Sequence, residues 1–216
     1  MFPLGVLNRS QPVETLILMH FDGTHGSTNF IDSGPLALPF STKSGSPIIS
    51  TTQSVFGGSS LYLNGSSSIQ TPDDPSIEFG NKDFTYEMFL YLDGTQDGRF
   101  VLQKDISHYF FLSWTSRILA FSLYGYNLAS LNPIPLNTTT HVAVIRKNTA
   151  LRMYINGVLN STIRVPTNFT VTDSSNALVL GNLGGGSPMK GYIDEFRVCR
   201  GAAYLGDFTP PISPYS

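Results

Sequence analysis

Charge is scarce in this sequence. Lys, Arg, Asp and Glu make up 13% of the 216 residues and leave a net charge of -2, against a usual charged content of ~25%. Such a chain offers no basic field to capture nucleic acid or an anionic membrane. Cysteine is nearly absent. Cys199 stands alone, so no intrachain disulfide forms and its thiol reads as a small buried hydrophobe. No apolar run approaches the ~18 residues of a membrane-spanning helix, so no membrane insertion is expected. The start, Met1 to Arg9, lacks a basic stretch followed by a long apolar one. No signal peptide is recognisable, and synthesis in a cytoplasm is expected. Helical periodicity is missing, and no repeat of roughly 20 to 50 residues marks a solenoid or propeller.

Turn formers and aromatics are abundant: 20 Gly, 14 Pro, 15 Phe and 10 Tyr. Glycine and proline punctuate short segments, and aromatics favour strands. A chain this long buries roughly 70% of its extended surface, enough for one core without staples. Residues 83–92 alternate strictly. Phe84, Tyr86, Met88, Leu90 and Leu92 share one face; Thr85, Glu87, Phe89 and Tyr91 share the other. Residues 99–103, 107–114 and 117–124 read as a meander, with Thr115-Ser116 as its tight turn. Asn156-Gly157 lies between the alternating runs 150–155 and 158–163, a strong hairpin signal because a type I′ turn needs positive φ twice. In the last long strand, 191–200, simple alternation puts Tyr192, Asp194, Phe196 and Val198 on a core face, with Ile193, Glu195, Arg197 and Cys199 opposite. Phe56-Gly57-Gly58 reads as a core plug followed by two flexible residues. These elements predict an all-β fold, a two-sheet antiparallel β-sandwich. An N-terminal arm (1–13) precedes the domain (14–204), and a Pro-rich extended tail (205–216) follows it.

The order of these pieces resembles the jelly rolls of the concanavalin A-like lectin/glucanase superfamily. The nearest branch is the laminin-G-like one, found in phage structural and bacterial surface proteins. The matching segments are Leu18-Met19-His20-Phe21-Asp22-Gly23, then 56–65, 83–87 and 141–146. The hairpin Asn156-Gly157 and Gly191-Tyr192-Ile193-Asp194-Glu195-Phe196-Arg197-Val198 follow, with Phe208-Thr209-Pro210-Pro211 at the end. The resemblance covers about residues 15–211.

The resemblance implies a structural calcium ion held by Asp22 and Asp194, with Asp32 as a third ligand. Read from the residues alone, these carboxylates cap turns and accept backbone N–H bonds, and both readings stand at this point. The four histidines show no zinc spacing. A sugar site, as in sandwich lectins, would use Trp114, Tyr124, Tyr126 and Asn127, with Asn182 beside the Gly184–Gly186 loop. Structural roles compete for Trp114 and Tyr124, in the core and at a strand end. The glucanase pattern Glu-x-Asp-x-x-Glu is absent, and Asp83 and Glu87 lie about 13 Å apart along one strand, too far for a glycosidase pair. No enzyme activity is expected.

The leading expectation is an accessory virion protein, a capsid decoration or tail-fibre component. It would be made in the host cytoplasm, with other virion proteins as partners and with adhesion to a host glycan. The alternative is a non-catalytic carbohydrate-binding module, extracellular or on a cell surface.

Overall fold

The computed structural model describes residues 13–93, 99–105, 108–112, 116–181 and 187–216. Two antiparallel sheets face each other. The first holds β1 (Glu14–Met19), β3 (Ile48–Ser50), β4 (Ser60–Asn64), β6 (Phe84–Leu92), β11 (Thr139–Lys147), β12 (Ala150–Ile155), β13 (Val158–Arg164) and β16 (Lys190–Arg200). Its order is β13-β12-β11-β6-β16-β4-β3, with β1 also on β16. The second holds β2 (Ser41–Ser44), β5 (Ser68–Thr71), β7 (Arg99–Asp105), β8 (His108–Leu112), β9 (Leu119–Leu123), β10 (Tyr126–Ala129), β14 (Leu178–Leu180) and the two-residue β15 (Ser187–Pro188). Its order is β10-β9-β8-β7-β14-β5-β2, with β15 parallel to β7. The remaining regular element among the described residues is a 3₁₀ turn, Pro75–Ile77, capped by the Asp74 side chain. No helix among the described residues is long and apolar enough to cross a membrane.

The core forms where the alternation of β6 requires it. Phe84, Tyr86, Met88, Leu90 and Leu92 are buried with Phe110, Leu112, Phe121 and Leu123 of the opposite sheet. Each such side chain contributes roughly 1.5–3 kcal/mol when fully buried. The Asn-Gly hairpin also forms as its sequence dictates. Asn156 and Gly157 have φ of 51° and 79°, and Ile155 pairs with Val158.

Gly157 has a second role. A Cβ there would sit 1.9 Å from the Phe208 carbonyl oxygen, because the C-terminal segment crosses the hairpin tip and the Phe208 N–H donates to the Gly157 carbonyl at 2.8 Å. Residues 205–216 therefore pack on the sandwich. They lie on the outer face of the first sheet, where Phe208 stacks on Tyr204 and packs on Tyr154 and His141.

The last strand corrects the simple alternation. A β-bulge interrupts its pairing with β6 between Asp194 and Arg197, and Glu195 takes a φ of 50°. The extra residue resets the phase. Ile193 lies in the core before the bulge, and Phe196 and Val198 after it. Tyr192 and Asp194 therefore face outward, as do Arg197 and Cys199. Phe56 is a further correction. It is half-buried and meets Phe89 edge-on at 5.9 Å on the outer face, so it plugs no core. The N-terminal arm, but for Val13, lies outside the described residues, as do Trp114, Thr115, Asn182 and the Gly184–Gly186 loop.

Candidate functional site

The outer face of the first sheet has two halves. One half is closed by the C-terminal segment over a buried charge network. Glu87 projects outward from the middle of β6 and is fully buried. Its Oε1 accepts from Arg197 Nε at 2.8 Å, with Nη2 at 2.6 Å. Its Oε2 accepts from the hydroxyls of Tyr215 at 2.7 Å and Tyr204 at 3.0 Å. The Tyr215 proton is thus committed to Glu87, so His141 Nε2, 3.0 Å away, is the donor to the Tyr215 oxygen. Burial alone would raise the Glu87 carboxyl. His141, Arg197 and Tyr215 outweigh that and hold it below the usual carboxylate range. The Arg197 guanidinium lies 4.0 Å from the Tyr215 ring centroid. Next to it, Glu195 Oε2 accepts from the Tyr215 N–H at 2.9 Å, and Oε1 meets His20 Nδ1 at 2.8 Å. This cluster seals the tail to the sheet.

The other half is open. Register places Tyr62 of β4 opposite Tyr192 of β16, and Tyr192 opposite Tyr91 of β6. Thr139 of β11 and Ile48 of β3 continue the row on either side. All three tyrosines are half-buried. The rings of Tyr62 and Tyr192 are 4.8 Å apart and tilted by 37°; those of Tyr192 and Tyr91 are 5.7 Å apart and edge-on. Two residues further along the strands, Lys190 pairs in register with Asn64, and its Nζ lies 3.1 Å from Asp93 Oδ2. On the opposite side the loop 52–56 rises as a wall. Burial raises the Tyr192 phenol above its ordinary value, with nearby Thr52 pulling the other way. Asp194 anchors the wall, accepting from the Val55 and Phe56 N–H groups at 2.6 and 3.3 Å. At the foot of the wall is a slot of about 10 Å³, bordered by Gln53, Ser54, Tyr91, Thr139, Tyr192 and Asp194. It is the size of about one water molecule or one hydroxyl group.

Two of the three carboxylates expected to hold calcium, Asp32 and Asp194, are already engaged by backbone donors. Asp32 is buried. Its Oδ1 accepts from the N–H groups of Leu18 and Gly34, both at 2.8 Å, and its Oδ2 from that of Leu38 at 2.9 Å. Asp194 Oδ1 accepts from the Glu195 N–H at 2.9 Å, so this carboxylate also holds three N–H donors. Burial pushes it up to about 7 against their pull. Asp22 is exposed and itself lines a cavity of about 120 Å³, together with His20, Phe21, Ile31 and Ser33. Among the described residues no three His, Cys, Asp or Glu side chains converge to hold a metal, whereas calcium takes six to eight oxygens. The capping reading describes Asp32 and Asp194.

Of the expected sugar residues, three are described, and two of them come together. The Tyr124 hydroxyl has Asp105 Oδ2 and the Thr172 carbonyl oxygen both at 3.0 Å, and its single proton is shared between these two acceptors. Tyr126 packs edge-on against Phe169 at 5.2 Å. Asn127 is exposed and pairs with Ser122. Tyr124 and Tyr126 meet at one edge of the sandwich, both packing on Phe169, at 6.4 and 5.2 Å, whereas Asn127 points to the opposite face of its strand. Trp114 and Asn182 lie outside the described residues. Sequence reasoning put Tyr91 on the face away from the core but turned Tyr192 inward, so the row was not assembled. Cys199 is buried and free, and burial pushes its thiol up to about 11, in keeping with a packing role.

Two jelly-roll sheets, a sealed face and an aromatic row define a lectin-like sandwich domain. A family model of the concanavalin A-like lectin/glucanases superfamily matches residues 63–203, and the chain belongs to that superfamily. A search of curated protein sequences finds no significant match. Among solved structures, the chain is similar to domain 4 of AbnA, an extracellular GH43 arabinanase from Geobacillus stearothermophilus, in complex with arabinotriose. The identity is 23% and the TM-score 0.71, over 89% of this chain and 95% of that one. It is also similar to the binding domain of paraclostridial mosquitocidal protein 1, at 13% identity and TM-score 0.67, over 88% of this chain and 49% of that one. The binding domain of botulinum neurotoxin DC in complex with SialylT follows at 12% identity and TM-score 0.62, over 90% and 48%. The chain spans about half the length of these toxin domains.

Proposed function

We propose that the protein is a non-catalytic carbohydrate-binding module. The observation that carries this reading is the likeness, over 95% of its length, to an arabinanase domain whose structure contains arabinotriose. The toxin likenesses weigh less, because half of each toxin domain lies outside the shared fold. The state of the carboxylates supports a non-catalytic role. Glu87, Glu195 and Asp194 are each buried and engaged by protein donors, whereas a glycosidase needs two carboxyl groups facing a bound sugar. Asp83 is held by Lys147 Nζ at 2.8 Å and the Asn148 N–H at 2.6 Å.

A panel of immobilised polysaccharides and oligosaccharides, probed with the purified chain, tests the reading. Saturable binding without release of reducing ends is expected. Reducing ends appearing with time would overturn the non-catalytic part, and no binding across the panel would overturn the whole.

Placement on a virus particle is the finer form of this proposal, resting on the resemblance to phage structural proteins. Many copies on one particle would multiply weak single-site binding. Quantitative peptide mass spectrometry of purified particles tests it. A fixed copy number relative to the major capsid protein is expected, and absence from particles would leave only the free module.

A further inference from the structure

We infer that Tyr62, Tyr192 and Tyr91 form a stacking platform for an uncharged sugar chain, an assignment that rests on the carbohydrate-binding reading. The three residues come from β4, β16 and β6, and pair directly in register. Neighbouring strands lie about 4.8 Å apart, so the outer two tyrosines are roughly 10 Å from one another, room for a short oligosaccharide laid across the strands. The rings are half-buried, so each is anchored yet offers exposed surface. Tyrosine suits this task. It presents a wide rigid surface at small entropic cost, with a hydroxyl at its edge. Sugar rings have C–H faces that stack on such surfaces and hydroxyl rims that meet polar groups.

The surroundings specify the ligand further. Along one side, beside the Lys190–Asp93 pair, the Asn64 Oδ1 accepts from the Ser66 N–H and hydroxyl, which leaves its NH2 group as a donor. The two charges in that pair neutralise each other, so among the described residues this border shows no excess positive charge to select a uronate or a sialylated glycan. Along the other side, the wall 52–56 limits how a sugar slides. The slot at its foot, about 10 Å³, takes one small ring substituent.

Affinity electrophoresis in native gels tests the assignment. The gels contain soluble arabinan or galactan as uncharged probes and polygalacturonate as the charged one. Each variant is referenced to a gel without polysaccharide and checked for its melting temperature. The wild type is expected to be retarded by an uncharged probe. Tyr192→Ala and Tyr62→Ala should each weaken that retardation about tenfold or more, whereas Tyr192→Phe, which keeps the ring, should retain most of it. Thr162→Ala on β13 serves as a remote control. Tyr62 lies on the short strand β4, so Tyr62→Ala keeps the test valid if Tyr192→Ala unfolds. Retardation that survives both alanine variants would overturn the platform and leave the carbohydrate reading standing. Retardation by polygalacturonate alone would overturn the uncharged-ligand assignment. Retardation by none of the probes would overturn both readings together.

Discussion

The Tyr215 hydroxyl lies 2.7 Å from Glu87 Oε2, although 128 residues separate the two in the chain. The contact joins the next-to-last residue to the middle of a central strand. It also completes the solvation of a carboxylate that water does not reach. Arg197 supplies the opposite charge, and Tyr204 and Tyr215 supply the remaining donors. The C-terminal segment is thus part of the domain's electrostatic balance as well as its covering.

Tyr215→Phe keeps the ring over Arg197 and removes one hydrogen bond to a buried charge. The His141 donor loses its acceptor as well. A loss of about 1–3 kcal/mol is expected, read as a lower urea midpoint with an unchanged m-value. An unmoved midpoint would show that the tail lies on the sheet without stabilising it.

Asp194→Ala leaves the Val55, Phe56 and Glu195 N–H groups without their acceptor and should cost about 1–3 kcal/mol. Because those donors already occupy the carboxylate, EDTA should leave the wild-type melting temperature unmoved, and added calcium should not raise it. A calcium-dependent rise would restore the metal reading, since a ligand specific to the folded state stabilises it.

His108 stands among the rings of Phe84, Tyr86 and Phe121, and its Nε2 has no hydrogen-bond partner. Burial pushes it down from 6.5 to about 4. In that interval the unfolded chain binds a proton that the folded one refuses. Stability from the neutral ring is therefore present above pH 6.5 and is lost as pH falls towards about 4, by up to about 3 kcal/mol. Asp194, raised to about 7, acts in the opposite sense over an overlapping range: its contribution is present below its unfolded value and is lost as pH rises through about 7. The comparison that isolates His108 is wild type against His108→Phe. The variant should lack the acid-side loss, measured as urea midpoints from pH 4 to 7. Parallel curves would show that the imidazole is not buried neutral.

Much of the fold is legible in local pattern. The alternation of residues 84–92 and the turn chemistry of Asn156-Gly157 each act over a few residues, and each forms as read. The phase of β16 is not legible, because nothing in Asp194-Glu195 announces a positive φ at a glutamate. It is fixed by partners elsewhere, His20 and the Tyr215 N–H on Glu195, and the N–H groups of Val55 and Phe56 on Asp194. The tyrosine row is invisible for a related reason. Its members stand at positions 62, 91 and 192 and become neighbours only when three strands pair in one particular register. Reading loops for aromatics led instead to Tyr124 and Tyr126, whose outward-looking sequence context conceals inward work.

The bulge at Glu195 acts as a frame marker inside one strand. Upstream of it, the parity that keeps Ile193 inside also keeps Tyr192 outside; downstream, the reset parity keeps Phe196 and Val198 inside and Arg197 on Glu87. Removing one residue at this point would be a different order of damage from replacing one. The strand would have to turn Arg197 into the apolar layer, or rotate Tyr192 out of its row to spare it. The exposed aromatic row and the sealed charge network are therefore held in step by one extra residue, and neither half of the strand can change its reading frame alone.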